Sequence, residues 1–328
     1  MKPTFHADPV NGPFEDSCIF IRILRERRAL LFDLGSIGRL GAASLLKISD
    51  VFITHTHIDH FIGFDTLLRN ILRKETPLRI FGPEPIISCV EGKLNGYTWN
   101  LIRDYPLEIE VFEVRNGTMA HASFHAARSF ERVDHPATNF EGMLLRGPLF
   151  TIKGIILSHE IPVMAYSLEE DFHINIDKAV LAQRGLPVGP WLSDFKKAIR
   201  EGAPADTVFT VEDRRLTLEE VRDIATITRG QKVSYVTDVS PTDDNIEKII
   251  PFVSGSDQLF CEAYFLERDR ERAIERHHLT AALAGKIARE AKVGHLDLLH
   301  FSPKYRDTVL ALYQEAMREF RGPASRHY

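Results

Sequence analysis

The sequence predicts a mixed α/β layered fold, an α+β arrangement of sheets and helices. Three observations carry this. The first part of the chain reads strand, strand, helix, strand, helix, strand, the order that layered domains produce. Apolar, β-rich runs recur to the end of the chain, and several stop on a histidine or an aspartate. The 328 residues are 44% hydrophobic and 27% charged, with no low-complexity tract, enough to bury a large core in one or two domains.

The elements follow in order. CIFIRI (18–23) and ALLFDLG (29–35) are strand-like and flank a charged turn over 25–28, a hairpin signal. LGAASLLKI (40–48) is a short helix. VFIT (51–54) is a buried strand that empties into a polar loop, and 61–72 is the helix after it. PLRIFGP (77–83) is a strand ending at Gly-Pro, PIISCVEGKL (85–94) a helix, and 107–114 and 123–132 are strands. Two strands open 142–162, the second ending at Ser158 and His159, and 165–171 is a further strand. In 214–222, Thr217 followed by Glu220 reads as a capped helix start. KVSYVTD (232–238) is a strand ending on Asp238, DNIEKIIPFV a helix, and 258–265 a strand ending near Glu262. A strong helical pattern covers 272–292, entered through His277, His278 and Thr280. A strand in 296–305 ends at His300, and 307–320 is the last helix.

Charge and cysteines narrow the function classes. A net charge of −5 and a pI near 6.3 give no global signal for nucleic acid, although a local basic element is compatible with them. Cys18, Cys89 and Cys261 are odd in number, far apart, and form no CxxC pair, so buried reduced thiols are expected. The N-terminal residues lack the apolar core of a signal peptide, and no apolar run is long enough to span a membrane. A soluble, cytoplasmic protein is expected.

The loop after 51–54 reads HTHIDH. His55 and His57 are two apart, and in extended backbone such residues face the same way, so both imidazoles can reach one ion. Asp59 and His60 stand where the chain turns into a helix and can point at a second ion. Imidazole and carboxylate together suit zinc, manganese or iron rather than calcium. His159, Asp238 and His300 each have a bland reading as strand-end polar residues. With HTHIDH they make five histidines and two aspartates at strand ends, where loops of layered α/β proteins converge on a rigid frame.

Residues 171–206 change character. Two short amphipathic helices flank a Gly-Leu-Pro-Val-Gly-Pro hinge, with Lys178, Arg184, Lys196, Lys197 and Arg200 among them. This is expected to be an inserted arm within a single 1–328 domain. Charge alone favours solvated surface helices over a contact surface.

At this point the chain resembles the metallo-β-lactamase-fold superfamily, and within it the ribonuclease Z (tRNA 3′-processing endonuclease) group. HTHIDH matches the H-x-H-x-D-H loop. His159 in LSHEIPVMAYSLEE, Asp238 in YVTDVSP and His300 in LLHFSPKY match the later motifs, and HFSPKY, His278-Leu279-Thr280 and GLPVGP match the narrower group. The chain differs from the group's habit at Ile58, where glycine is usual, at Thr237 and Val239, where Gly-Asp-Thr usually stands, and in reading Asp33-Leu34-Gly35-Ser36 without a Cys-Gly-Glu run. The resemblance implies a four-layer αβ/βα sandwich holding two divalent ions, zinc foremost with manganese or iron as alternatives. His55, His57 and His159 would hold one ion and Asp59, His60 and His300 the other, with Asp238 bridging. It implies a phosphodiesterase acting through a metal-bridged hydroxide, with Asp59 and His278 catalytic and His278 as general acid. A tRNA precursor 3′ trailer is the leading substrate, met through an exosite-like 171–206 arm, and a homodimer is implied. The rivals are a small-molecule phosphodiesterase or ester or sulfate hydrolase of the same fold, and a catalytically silent RNA-binding protein.

Overall fold

The computed structural model describes residues 4–24 and 26–322. They fall into two compact units, one made of the chain up to Glu169 together with the chain from Lys232, the other of Glu170–Gln231.

The larger unit begins with an eight-stranded sheet. Its strands are β1 (Phe5–Pro9), β2 (Ile19–Ile23), β3 (Ala29–Phe32), β4 (Ile48–Phe52), β5 (Leu78–Pro83), β6 (Glu108–Arg115), β7 (Thr118–His125) and β8 (Arg132–Asn139), adjacent in that order. β2 and β3 form the expected hairpin, Ile19 opposite Phe32. β3 to β6 are parallel, and parallel neighbours need crossovers. Helices α1 (Ala42–Leu45), α2 (Ile58–Phe61), α3 (Phe64–Ile71) and α4 (Ile86–Asn95) supply them.

Two expectations need correction here. The helix expected over 61–72 is split into α2 and α3, because Gly63 is pressed against the neighbouring chain. A Cβ there would stand 2.2 Å from the Gly35 carbonyl oxygen, and the Gly63 N–H is bonded to Leu34 O at 2.9 Å. The strand expected over 123–132 is broken: β7 ends at His125, and Ser129 and Phe130 take positive φ (55° and 58°) to turn the chain into β8. Phe130 holds that turn by burying its ring against Trp99, with centroids 4.8 Å apart. Trp99 also donates to Leu94 O, so the 96–100 segment closes the end of α4.

β9 (Met143–Arg146), β10 (Phe150–His159) and β11 (Ile161–Glu170) start the second sheet of this unit.

Residues Glu170–Gln231 form the other unit. It contains β12 (Phe172–Ile176), α5 (Lys178–Gln183), α6 (Trp191–Arg200), the β13 (Val208–Val211) and β14 (Arg214–Thr217) hairpin, α7 (Leu218–Val221) and β15 (Ala225–Arg229), which pairs with β12. The two helices expected within 171–206 are α5 and α6. Trp191, Phe195, Ala198 and Ile199 of α6 are buried, a helical stripe, and join Phe209, Val221 and Ile224 in a core of their own. Thr217 and Glu220 make a reciprocal capping box. Arg184 is paired with Asp223 at 2.7 Å inside this unit.

The larger unit resumes with β16 (Lys232–Val236), α8 (Asp243–Val253), β17 (Gln258–Glu262), α9 (Arg270–Glu275), α10 (Ala281–Glu290), β18 (Leu296–Leu299) and α11 (Val309–Arg321). The second sheet has the order β18-β17-β16-β11-β10-β9. The helical pattern over 272–292 is interrupted. α9 stops before His277, whose φ is 59°, and α10 starts only after Thr280, whose side chain caps the Leu283 N–H at 3.2 Å.

Three cores define the layers of this unit. One lies between the first sheet and α1, α3 and α4, and a second between the second sheet and α8, α10 and α11. The third joins the inner faces of the two sheets, with Phe32 stacked between Tyr166 and Tyr235 at 5.7 Å each. β4 shows the alternation that builds this: Val51 belongs to the helix side and Phe52 to the inter-sheet core. The result is the four-layer αβ/βα sandwich. Cys18 and Cys261 are buried, which raises both thiol pKa values, and no disulfide joins the described cysteines. Among the described residues, no helix is long and apolar enough to cross a membrane.

Candidate metal centre

Strand ends of both sheets deliver the side chains. β4 runs out at Phe52 and leads to His55; β10 ends on His159; β16, β17 and β18 lead to Asp238, Glu262 and His300. α2 carries Asp59 and His60, with His57 at its N-cap. Five non-glycine residues around the cluster take left-handed backbone: Asp33 (φ 58°), Glu160 (58°), Asp238 (52°), His277 (59°) and His300 (54°). Such conformations cost about 1–3 kcal/mol each and persist where the surroundings over-determine them.

The side chains form overlapping donor sets. His55, His57 and His159 offer one atom each, all within 4.8 Å of one another, and so do Asp59, His60 and His300, and likewise His55, His60 and Asp238. All seven ligand-type residues expected from the sequence are therefore brought together. His278 joins a fourth set with Asp238, Glu262 and His300.

Hydrogen bonds orient the rings. His159 Nδ1 donates to the His277 carbonyl at 2.8 Å, which leaves Nε2 with its lone pair toward the cluster. His60 Nδ1 donates to Asp33 Oδ2 at 2.7 Å, and its Nε2 faces Asp238 Oδ2 at 2.9 Å. Thr54 N–H, Thr54 Oγ1 and Tyr235 OH also donate to the Asp33 carboxylate, which is fully buried. His55 Nε2 and His300 Nδ1 are buried and make no hydrogen bond. Orphaned ring nitrogens beside carboxylates suit a divalent cation, because a buried polar atom left without a partner is costly. The residues present fit metal ions.

Electrostatics agree with this. Burial holds the His55 pKa down to about 2, so its ring is neutral. Burial acts to lower His300 as well, but Asp238 and Asp59 outweigh it and raise it to about 10. Asp238 stays ionised despite burial, because His300 and His60 face it. So many acceptors and ring nitrogens in one place call for a cation.

No family model matches the chain. The ribonuclease Z of Treponema pallidum is 30% identical over 310 residues, spanning 92% of this chain and 86% of that protein. The chain belongs to the ribonuclease Z family. The ribonuclease Z of Deinococcus radiodurans is 28% identical over 307 residues, 90% of this chain and 89% of the relative. Among solved structures, the metallo-beta-lactamase fold protein YhfI from Bacillus subtilis superposes with a TM-score of 0.56 at 18% identity, covering 97% of this chain and 93% of that one. The short form of human tRNase Z gives 0.54 at 16% identity, covering 92% and 93%. At these identities the superpositions speak to the fold, and they agree with the four layers seen here.

Two residues of this ribonuclease Z-family chain escaped the sequence reading. Asp33 was visible only as the aspartate of a strand, yet it is the hydrogen-bond hub behind His60. Glu262 is fully buried, accepts from His278 Nδ1 at 2.9 Å, and also accepts the backbone N–H groups of Val239 and Leu279 at 2.9 and 3.2 Å. An acidic residue closing an apolar strand was the available signal for both. His278 is further held by Tyr264, stacked on it at 3.9 Å and 7°.

Proposed function

We propose that the chain is a binuclear metal-dependent endoribonuclease of the ribonuclease Z type, which removes the 3′ trailer of a tRNA precursor. The observation that carries this is the donor cluster at the strand ends in a chain of that family. His55, His57 and His159 would hold one divalent ion and Asp59, His60 and His300 the other, with Asp238 between them. Imidazole-rich sets with few carboxylates favour zinc. When bound, such ions lower the pKa of a water and offset charge on the nonbridging phosphate oxygens.

The chain's own residues do the rest. Glu262 accepts a hydrogen bond from His278 Nδ1 and fixes the ring, so that Nε2 is the nitrogen that can give a proton to the leaving oxygen. Tyr264 holds the plane of that ring. His277 O and Asp33 fix the tautomers of His159 and His60, so that each presents an unprotonated nitrogen. In the Glu170–Gln231 unit, Lys178, Arg184, Lys196, Lys197 and Arg200 supply the basic side chains we assign to contact with the tRNA body; Arg184 pairs with Asp223 and Lys197 with Glu201.

The test uses metal-loaded protein, a 3′-extended tRNA transcript, and a panel of small phosphodiesters and esters. Discrete cleavage after the discriminator base is expected. Turnover on small substrates alone points to the small-molecule hydrolase, and binding without turnover to a silent RNA-binding protein. His57→Ala and Asp238→Ala should each remove bound metal and bis(p-nitrophenyl) phosphate hydrolysis together. Full turnover in either variant sinks the ligand assignment.

A further inference from the structure

The cavity over the histidine cluster has a volume of about 380 Å³, and part of its wall lies outside the donor sets: Tyr264, Phe265, Arg272, Arg276 and Ser302. Arg272 lies in α9 and Arg276 is its C-cap. Residues four apart on a helix share a face, so both guanidiniums leave α9 on the cavity side. The helix is anchored beneath them: Ala273 is fully buried, and its carbonyl accepts from the His278 N–H at 2.9 Å. The arginines therefore stand at a fixed offset from His278.

Both are exposed, and among the described residues neither forms an ion pair. Arg270 of the same helix is by contrast engaged with Glu267 at 3.4 Å. The Arg272 guanidinium carbon lies 6.0 Å from the centroid of the Phe265 ring, and both residues line the cavity. Guanidinium groups with unused donors beside a cavity match an anion with several acceptor oxygens, which they bind in a bidentate manner. The cavity floor carries Asp59 and Asp238, so it attracts a phosphate only where ions sit. The wall must supply the field for any further negative charge.

We propose that Arg272 and Arg276 form a phosphate subsite that holds the phosphodiester next to the scissile one along a single RNA strand. The inference rests on the ribonuclease reading above and gives it a specificity element. A strand with successive phosphates fills the floor and the wall together, whereas a small diester has one phosphate and uses the floor alone. The two arginines bind and position; they do not take part in the proton transfer.

The test compares the wild-type holoenzyme with R272Q/R276Q and R272K/R276K. On the 3′-extended tRNA transcript, R272Q/R276Q should raise KM about tenfold or more, the effect of losing charged hydrogen bonds, with kcat changed by less than about threefold. The slope of log(kcat/KM) against log[salt] should become shallower by about 0.7, the contribution of one single-strand phosphate contact. R272K/R276K should recover the salt slope and part of KM. A second measurement uses a cleavage-resistant phosphorothioate trinucleotide as a competitive inhibitor of bis(p-nitrophenyl) phosphate hydrolysis; its inhibition constant should rise about tenfold in R272Q/R276Q. An unchanged inhibition constant with an unchanged salt slope overturns the subsite. If wild-type protein leaves the transcript intact but the inhibition constant still shifts, the ribonuclease reading fails and the subsite stands.

Discussion

Asp33→Asn is the perturbation that the geometry makes most informative, because it changes one atom and leaves the shape. The carboxylate accepts four hydrogen bonds: Oδ1 from the Thr54 N–H at 2.7 Å, and Oδ2 from His60 Nδ1 at 2.7 Å, Tyr235 OH at 2.7 Å and Thr54 Oγ1 at 3.0 Å. The Thr54 N–H can only donate, so the asparagine oxygen must face it and the NH2 group must replace Oδ2. The two hydroxyls can turn and accept. His60 can adapt only by moving its proton from Nδ1 to Nε2, which aims an N–H at Asp238 where a lone pair is required. Loss of such an orienting partner costs about 10–100-fold in metal affinity, or about 1.4–2.8 kcal/mol. Competition of the variant against a chromogenic zinc chelator measures this directly, with circular dichroism confirming the fold. One ion should weaken by that factor. The other, assigned to His55, His57 and His159, should change by less than about threefold. Equal affinity for both ions in variant and wild type would refute the argument that Asp33 sets the His60 tautomer.

Two further outcomes follow from the same cluster. Glu262→Gln keeps the acceptor for the Val239 and Leu279 N–H groups but loses the carboxylate oxygen 2.9 Å from His278 Nδ1. A hydrogen bond to a charged group contributes about 1.5–3 kcal/mol, so kcat on the tRNA transcript should fall about 10- to 150-fold with metal content retained; a kcat within threefold of wild type removes Glu262 from the proton path. The pH dependence of the metal-free protein tests His300, whose pKa is raised by Asp238 and Asp59, against the opposing effect of burial, to about 10. The unfolded value is about 6.5, so its contribution to stability is fully present below pH about 6.5 and is lost as pH rises through about 10. EDTA-treated protein should show a melting temperature that falls across this interval, and His300→Gln should flatten the fall; parallel curves for the two proteins contradict the assignment.

The short-range features of this chain were legible because they are local. HTHIDH names its own chemistry, since an i, i+2 histidine pair at a strand mouth needs nothing distant to explain it. The hairpin at 18–35, the Thr217–Glu220 capping box and the amphipathic α6 are likewise contained within a few turns of chain. The strand-end pattern of His159, Asp238 and His300 went further and pointed to a shared site before any fold was known.

What the sequence could not determine was decided by contacts between remote segments. Gly63 splits a helix because the Gly35 carbonyl stands against it, and the turn at Ser129 and Phe130 exists because Trp99 offers a place for a ring. The extent of the smaller unit, Glu170–Gln231, depends on β15 returning to pair with β12. Asp33 and Glu262 look in the sequence like ordinary acids ending apolar strands. Their roles arise only when two sheets, folded face to face, bury each carboxylate against a histidine brought from another element. A ligand's identity is a property of its side chain and can be read locally; its tautomer, charge and aim are set by partners that only tertiary structure brings within hydrogen-bonding distance.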